Sequence, residues 1–159
     1  MAKVLIAMGS KSDLDVVKPA AQILTKLDVT VRVMSAHRTP KTVMDYATGK
    51  EGDFDVFIAA AGKAAPPARF IAAFTPKPVI GLPVKSSTMD GLDSLLSTVQ
   101  MPSGVPVATV AINGGLNAGL LAAQMLAISD SDLAEKIIAY REENANGVIN
   151  SNINLTEEL

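Results

Sequence analysis

The stretch "KVLIAMGSKSDLDVVKPAAQILTKL", Lys3 to Leu27, decides how the chain is read. Its aliphatic run Lys3–Met8 predicts a strand, and a polar Gly/Ser turn follows. Val16, Val17, Ala20, Ile23, Leu24 and Leu27 then recur at helical spacing. Pro19 predicts a kink in that helix, unless the helix begins near Asp15 and Pro19 falls in its first turn.

The same alternation continues outward. "VTVRVM" (Val29–Met34) predicts a second strand, leading through "SAHRTP" (Ser35–Pro40) to a helix over Pro40–Thr48. "DVFIAAA" (Asp55–Ala61) predicts a third strand, with a helix near Ala68–Phe74. "PVIGLP" (Pro78–Pro83) and "VPVATVAI" (Val105–Ile112) predict the fourth and fifth, followed by helices over Asp90–Val99 and from about Asn117 to Ile128. Strands that alternate with helices imply a parallel sheet covered on both faces. The fold class is therefore α/β: a three-layer α/β/α domain with a five-stranded parallel, flavodoxin/Rossmann-like sheet and a C-terminal helix. No repeat or linker divides residues 1–159, which read as a single domain. The tail from Ser131 reads as an amphipathic helix that packs on a neighbouring subunit, with an Asn-rich end expected to fray.

Bulk composition narrows the function. Fourteen Lys and Arg stand against 16 Asp and Glu, the basic residues are scattered, and aromatics are few, so no nucleic-acid surface is expected. The absence of cysteine excludes a disulfide framework and fits a cytoplasmic setting. The near-apolar run Ala118–Ile128 is interrupted by Gln124 and is shorter than the ~20 residues a bilayer span needs, so no membrane partner is expected either. Yet 48% hydrophobic residues and a mean hydropathy of +0.30 are high for a small soluble monomer. Part of that apolar surface is expected between subunits of a homo-oligomer.

In such folds ligands bind beyond the carboxyl ends of the strands. The loops there are "GSKSD", "SAHRTP", "GKAAPP" and "NGG". In "GSKSD", Gly9 permits a sharp turn, Ser10 and Ser12 offer hydroxyls, and the following helix start suits an anion. The plain alternative is an N-cap, with Ser12 or Asp13 satisfying helix donors. Asp13 would repel a phosphate but can accept hydrogen bonds from ribose hydroxyls. In "SAHRTP", Arg38 can grip a phosphate bidentately, and His37 carries the chain's single imidazole, a group that exchanges protons near neutral pH. The alternative is a bystander histidine with Arg38 paired to a helix carboxylate. "AAAGKAAPPA" (Ala59–Ala68) allows close backbone approach to a flat ligand or simply close helix–sheet packing. One His, no Cys and no H-E-x-x-H leave no zinc site, and neither phosphate-loop nor dinucleotide fingerprint occurs.

Together, "MGSKSD", "SAHRTP", "AGKAA", "GLPVKSS…GLDSLLSTVQMPSGVPVATVAING" and "NAGLLAAQMLA" resemble the class I PurE enzymes, the N5-carboxyaminoimidazole ribonucleotide mutases of purine (IMP) biosynthesis, over roughly Lys3 to Tyr140. The resemblance implies an isomerase that needs no cofactor or metal. It moves a carboxylate from the exocyclic nitrogen of a small ribonucleotide to ring carbon C4, in an octamer whose sites are shared between subunits. It implies that Gly9, Ser10, Ser12, Ser35, Ala36 and Arg38 hold the 5′-phosphate and its surroundings, and that Asp13 takes the ribose hydroxyls. His37 would be the general acid/base, and Gly62, Lys63, Ala64 and Ala65 would enclose the aminoimidazole and the migrating carbon dioxide. The alternatives are a class II carboxylase using free carbon dioxide and a degenerate relative that binds ribonucleotide without turnover.

The chain departs from the family pattern in places. The family usually continues its third loop A-A-H-L, then Pro or Ala, then Gly, whereas this chain has Pro66 for the second histidine and Arg69 for the glycine. Arg69 is expected to add a charge near a tight cavity. Ala60 stands where a glycine is usual, and Leu116 where an acidic residue is common.

Overall fold

The computed structural model describes residues 2–64, 67–87 and 89–157, with side chains through Ser151. Five strands, β1 (Lys3–Met8), β2 (Thr30–Ser35), β3 (Val56–Ala61), β4 (Val79–Pro83) and β5 (Ala108–Thr109), form one sheet in the order β2-β1-β3-β4-β5. All four pairings are parallel. The crossovers are α1 (Leu14–Lys26), α2 (Pro40–Ala47), α3 (Pro67–Phe74) and α4 (Leu92–Val99). Then α5 (Gly115–Ala127) and α6 (Ser131–Glu157) follow β5.

Two cores divide the side chains of alternate strand residues, as a period of two requires. Val4, Ile6, Ile58, Ile80 and Leu82 face α1, α5 and the start of α6. Leu5, Ala7, Phe57, Ala59 and Val79 face α2 and α3. Every residue of β3 and β4 is buried, which accounts for their apolar runs without alternation. This is the expected three-layer α/β/α fold.

Several local expectations change. Pro19 lies inside α1, beyond its first turn, and the helix runs unbroken to Lys26. The fifth strand was expected over Val105–Ile112, but only Ala108–Thr109 pair with β4, opposite Ile80 and Gly81. Pro106 cannot donate to a ladder, and it stands just before the paired residues. Helix α4 was expected from Asp90 but begins at Leu92. Met89, Asp90 and Gly91 are all left-handed, with φ of 50, 53 and 94°. The helix α6 runs through Glu157, past the Asn-rich stretch where fraying was expected.

Asp130 starts α6 by accepting the Leu133 N–H on Oδ1 at 3.0 Å, the usual N-terminal cap geometry. Leu133 and Ile137 are buried in the first core, and Lys136–Asp28 and Lys26–Glu143 ion pairs tie the helix to the end of α1. Beyond Glu143 the described side chains are exposed. The remaining helix extends for about 20 Å at 1.5 Å per residue.

Candidate active site

The parallel register sets the site. Ser35, Met8, Ala60 and Leu82 lie in one row across four strands, so the next residues emerge together at the carboxyl edge. Backbone bonds continue the sheet one step further: Ala36 N–H to Met8 O at 2.7 Å, Gly9 N–H to Ala60 O at 2.9 Å, and Val84 N–H to Ala61 O at 2.9 Å. The loops after β1, β2, β3 and β4 therefore leave a common, rigid rim.

On that rim "GSKSD" closes into a 3₁₀ turn, Lys11–Asp13, ahead of α1. The Asp13 carboxylate is buried. Oδ2 accepts the Ser10 N–H at 2.9 Å, and the Ser12 hydroxyl approaches Oδ1 at 3.4 Å. The Ser10 and Ser12 hydroxyls lie 2.6 Å apart. Asp13 thus closes the turn through the Ser10 N–H, in the manner of a capping residue. One carboxylate offers about four acceptor positions, so hydroxyls of a ligand still have room beside these bonds.

"SAHRTP" is held over the same spot. Ser35 donates its hydroxyl to Gly9 O at 3.2 Å, while Ser35 O accepts both the Thr39 N–H and the Thr39 hydroxyl, at 3.0 and 2.7 Å. Pro40 opens α2 at its first position, where no N–H is needed. This tight turn swings His37 back over Gly9. A Cβ on Gly9 would lie 3.0 Å from Asp13 Oδ2, 3.2 Å from His37 Cε1 and 3.5 Å from Ala61 Cβ. Gly9 is the floor between carboxylate and imidazole, and any side chain there would push them apart.

His37 is exposed and makes no hydrogen bond among the described residues, so its ring nitrogens are available to a ligand. Arg38 is exposed with no carboxylate partner among the described residues, which removes the alternative of a structural ion pair. Lys11 and Lys63 are likewise exposed on the neighbouring loops, making this rim attractive to an anion. Gly62 and Ala64 follow Ala61 on the third loop, and Lys63 is left-handed at φ 58°. Ala65 and Pro66, the first an expected ligand contact and the second the replaced histidine, lie outside the described residues.

Arg69 corrects an expectation. It does not charge the cavity: its Nη2 donates to Ser97 O and Gln100 O, at 3.5 and 3.4 Å, at the end of α4. On the other flank of His37 a cleft of about 340 Å³ opens between α2 and α3, lined by Pro40, Val43, Met44, Phe70 and Phe74. Its lining includes no Lys, Arg, Asp or Glu, in contrast to the serine side of His37.

Sequence reasoning passed over the loop after β4, "VKSS". A Cβ on Gly62 would meet Val84 O at 3.2 Å and Ser86 Cβ at 3.5 Å, so this loop backs the glycine–alanine loop directly. The signal was available, because every strand of a parallel sheet ends at the same edge.

Residues 3–147 match the AIR carboxylase family. The chain is 52% identical over 145 residues to the N5-carboxyaminoimidazole ribonucleotide mutase of Thermotoga maritima, covering 89% of this chain and 85% of that protein. It is 50% identical over 145 residues to the chloroplastic phosphoribosylaminoimidazole carboxylase of Vigna aconitifolia; there it covers 89% of this chain but spans only 26% of the plant protein. The crystal structure of Treponema denticola PurE superposes with a TM-score of 0.80 at 29% identity, covering 94% of this chain and 96% of that one. With these matches over nearly its whole length, the chain belongs to the AIR carboxylase (PurE) family.

Proposed function

We propose that the chain is an N5-carboxyaminoimidazole ribonucleotide mutase, an isomerase of purine biosynthesis, with His37 as its proton shuttle. The observation that carries this reading is the convergence over Gly9 of an unencumbered imidazole and a buried carboxylate, flanked by serine hydroxyls and the free Arg38. Ser10, Ser12, Ser35 and Arg38 bind the 5′-phosphate and its surroundings, with the Gly9 and Ala36 backbone shaping the pocket. Asp13 accepts from the ribose, and residues Gly62 to Ala65 cover the ring.

The chemistry needs one imidazole. Protonated His37 gives its proton to the carbamate nitrogen, the N–C bond breaks, and carbon dioxide and the neutral amine form side by side. Ring carbon C4 then attacks the carbon dioxide, making the new C–C bond. Neutral His37 removes the C4 proton, which restores aromaticity and returns the histidine to its starting state. The enclosed loops keep the carbon dioxide beside C4, so recapture outruns escape.

The reading extends to assembly and location. The chain forms a homo-octamer in the cytoplasm, with the α2–α3 cleft and the projecting end of α6 covered by neighbouring copies. Exposed Phe70, Phe74, Met44, Val148 and Ile149 support this assembly. Among the described residues, no helix is long and apolar enough to cross a membrane.

The purified protein should form product from the N-carboxylated ribonucleotide without added bicarbonate, followed by absorbance. Product made efficiently only from the uncarboxylated ribonucleotide with bicarbonate would assign it direct carboxylation, the activity named for the plant relative. Tight ribonucleotide binding with neither reaction would assign it a binding role. His37→Asn should lower kcat by about 10²–10⁴-fold, the range for general acid–base catalysis, while ribonucleotide still binds. Arg38→Ala should weaken binding of the phosphorylated ligand by about 10- to 100-fold, the scale of a charged hydrogen bond, and leave the free nucleoside unaffected. Equal losses for both ligands would remove Arg38 from the phosphate.

A further inference from the structure

Asn113 lies after β5, outside the residues assigned to the reaction, yet it bonds to the loop that backs the glycine–alanine loop. It is held at a left-handed φ of 58° and donates its N–H to Pro83 O at 2.8 Å, extending the sheet edge beyond β4. Its side-chain Oδ1 accepts the Lys85 N–H, also at 2.8 Å. Lys85 joins Val84 to Ser86, the two residues that Gly62 packs against. A second set of contacts ties the two ends of the same loop together. The buried Ser94 hydroxyl lies 3.0 Å from Val84 O and 2.9 Å from Gly91 O, and Lys85 pairs with Asp90 at 3.0 Å.

We infer that Asn113 is a positioning residue for the reaction: through Lys85 it presses Val84–Ser86 against Gly62 and so sets where Gly62 stands beside the migrating carbon dioxide. The physical reason is the short lever. Val84 is already fixed by its bond to Ala61 O. The Asn113 amide and the Ser94 hydroxyl hold the two ends of the next peptide, the Lys85 N–H and the Val84 carbonyl, so the wall behind Gly62 cannot swing away. Without that acceptor, the Lys85 N–H turns to water and the backing wall gains freedom. Gly62, with no side chain of its own, follows it.

The inference rests on the mutase reading, and its test separates the two. Asn113→Gly keeps the left-handed backbone and removes the acceptor. Asn113→Asp keeps both, since aspartate tolerates that conformation and accepts the same bond. The readout is the fraction of turnovers in which label from the N-carboxylate appears in bulk bicarbonate, above spontaneous loss measured without protein. The glycine variant should raise this leak by about three- to tenfold, the scale of one hydrogen bond. The aspartate variant should restore retention. Amide exchange at Lys85 should accelerate in the glycine variant alone. A leak unchanged in Asn113→Gly, or raised equally in Asn113→Asp, overturns the positioning role while leaving the mutase intact. Absence of product from the wild-type protein overturns the mutase reading and this inference with it.

Discussion

The two faces of the sheet are finished differently. On one, α1 and α5 meet so closely that a Cβ on Gly119 would lie 2.5 Å from Ile23 Cγ2 and 2.8 Å from Ala20 O, and one on Gly115 would overlap the Val16 carbonyl. Ala118, Ala122 and Ala123 continue this narrow seam, and α6 closes it. On the other, α2 and α3 stand apart over an apolar cleft, with Phe70 59% and Phe74 43% exposed. A chain that packs one helix pair to backbone contact has the means to close both. The closed side is complete within one chain, whereas the open side leaves its apolar cleft uncovered, the surface that the proposed assembly would cover. His37 lines this cleft, so in the proposed assembly its covering and the proposed chemistry meet at one residue.

The strongest way to break this contrast is to thicken the closed seam. Gly115→Ala forces a methyl group against backbone that cannot rotate away, so α5 must lift from α1. The expected cost is about 3 kcal/mol, the upper end for overpacking. It would be read as a fall of roughly 10 °C in melting temperature for a chain of this size. An unchanged melting temperature would show that the seam yields and that the two faces are less different than their geometry indicates.

The open face makes the opposite prediction. Phe70→Ser with Phe74→Ser should barely change the stability of a separated subunit, because both rings are already wet. It should weaken assembly by about 2 kcal/mol or more for each well-seated ring, shifting the mass seen by light scattering toward smaller species. Wild-type mass from the double variant would place the subunit contacts elsewhere.

This difference also accounts for what the sequence made legible. The strands β1, β3 and β4 and helices α1 and α5 carry their period in consecutive apolar residues, so their existence and nearly their ends could be read. Strand β5 could not, because Val105–Ile112 is apolar but for Thr109, and although Pro106 bars one ladder bond, nothing local says how few of the remaining residues find a partner on β4. The left-handed run at Met89 and Asp90 was equally hidden, since neither residue advertises it as glycine does. At the site, "GSKSD" and "SAHRTP" were recognisable as loops, and the parallel register explains why they converge. The floor at Gly9 and the Asn113–Lys85 bond depend on distances between strands, which no local pattern encodes.

Arg69 is the sharpest single case, because its chemistry was read correctly and its direction was not. A guanidinium on the first turn of α3 was expected to intrude on the site, but it reaches to the carbonyls at the end of α4. A cation at a helix C-terminus complements the partial negative charge there, and both bonds are long and solvent-exposed. Arg69→Gly, which returns the residue usual in the family, should therefore cost no more than about 1 kcal/mol in stability, part of it from glycine within a helix. It should leave kcat for the N-carboxylated substrate unchanged within a factor of about two, since a 0.4 kcal/mol change in barrier is already that large. A large gain in activity would mean that the guanidinium does obstruct the site in the working assembly. A stability loss well above that estimate would make it a principal brace of the open face, and the contrast between the two faces would narrow accordingly.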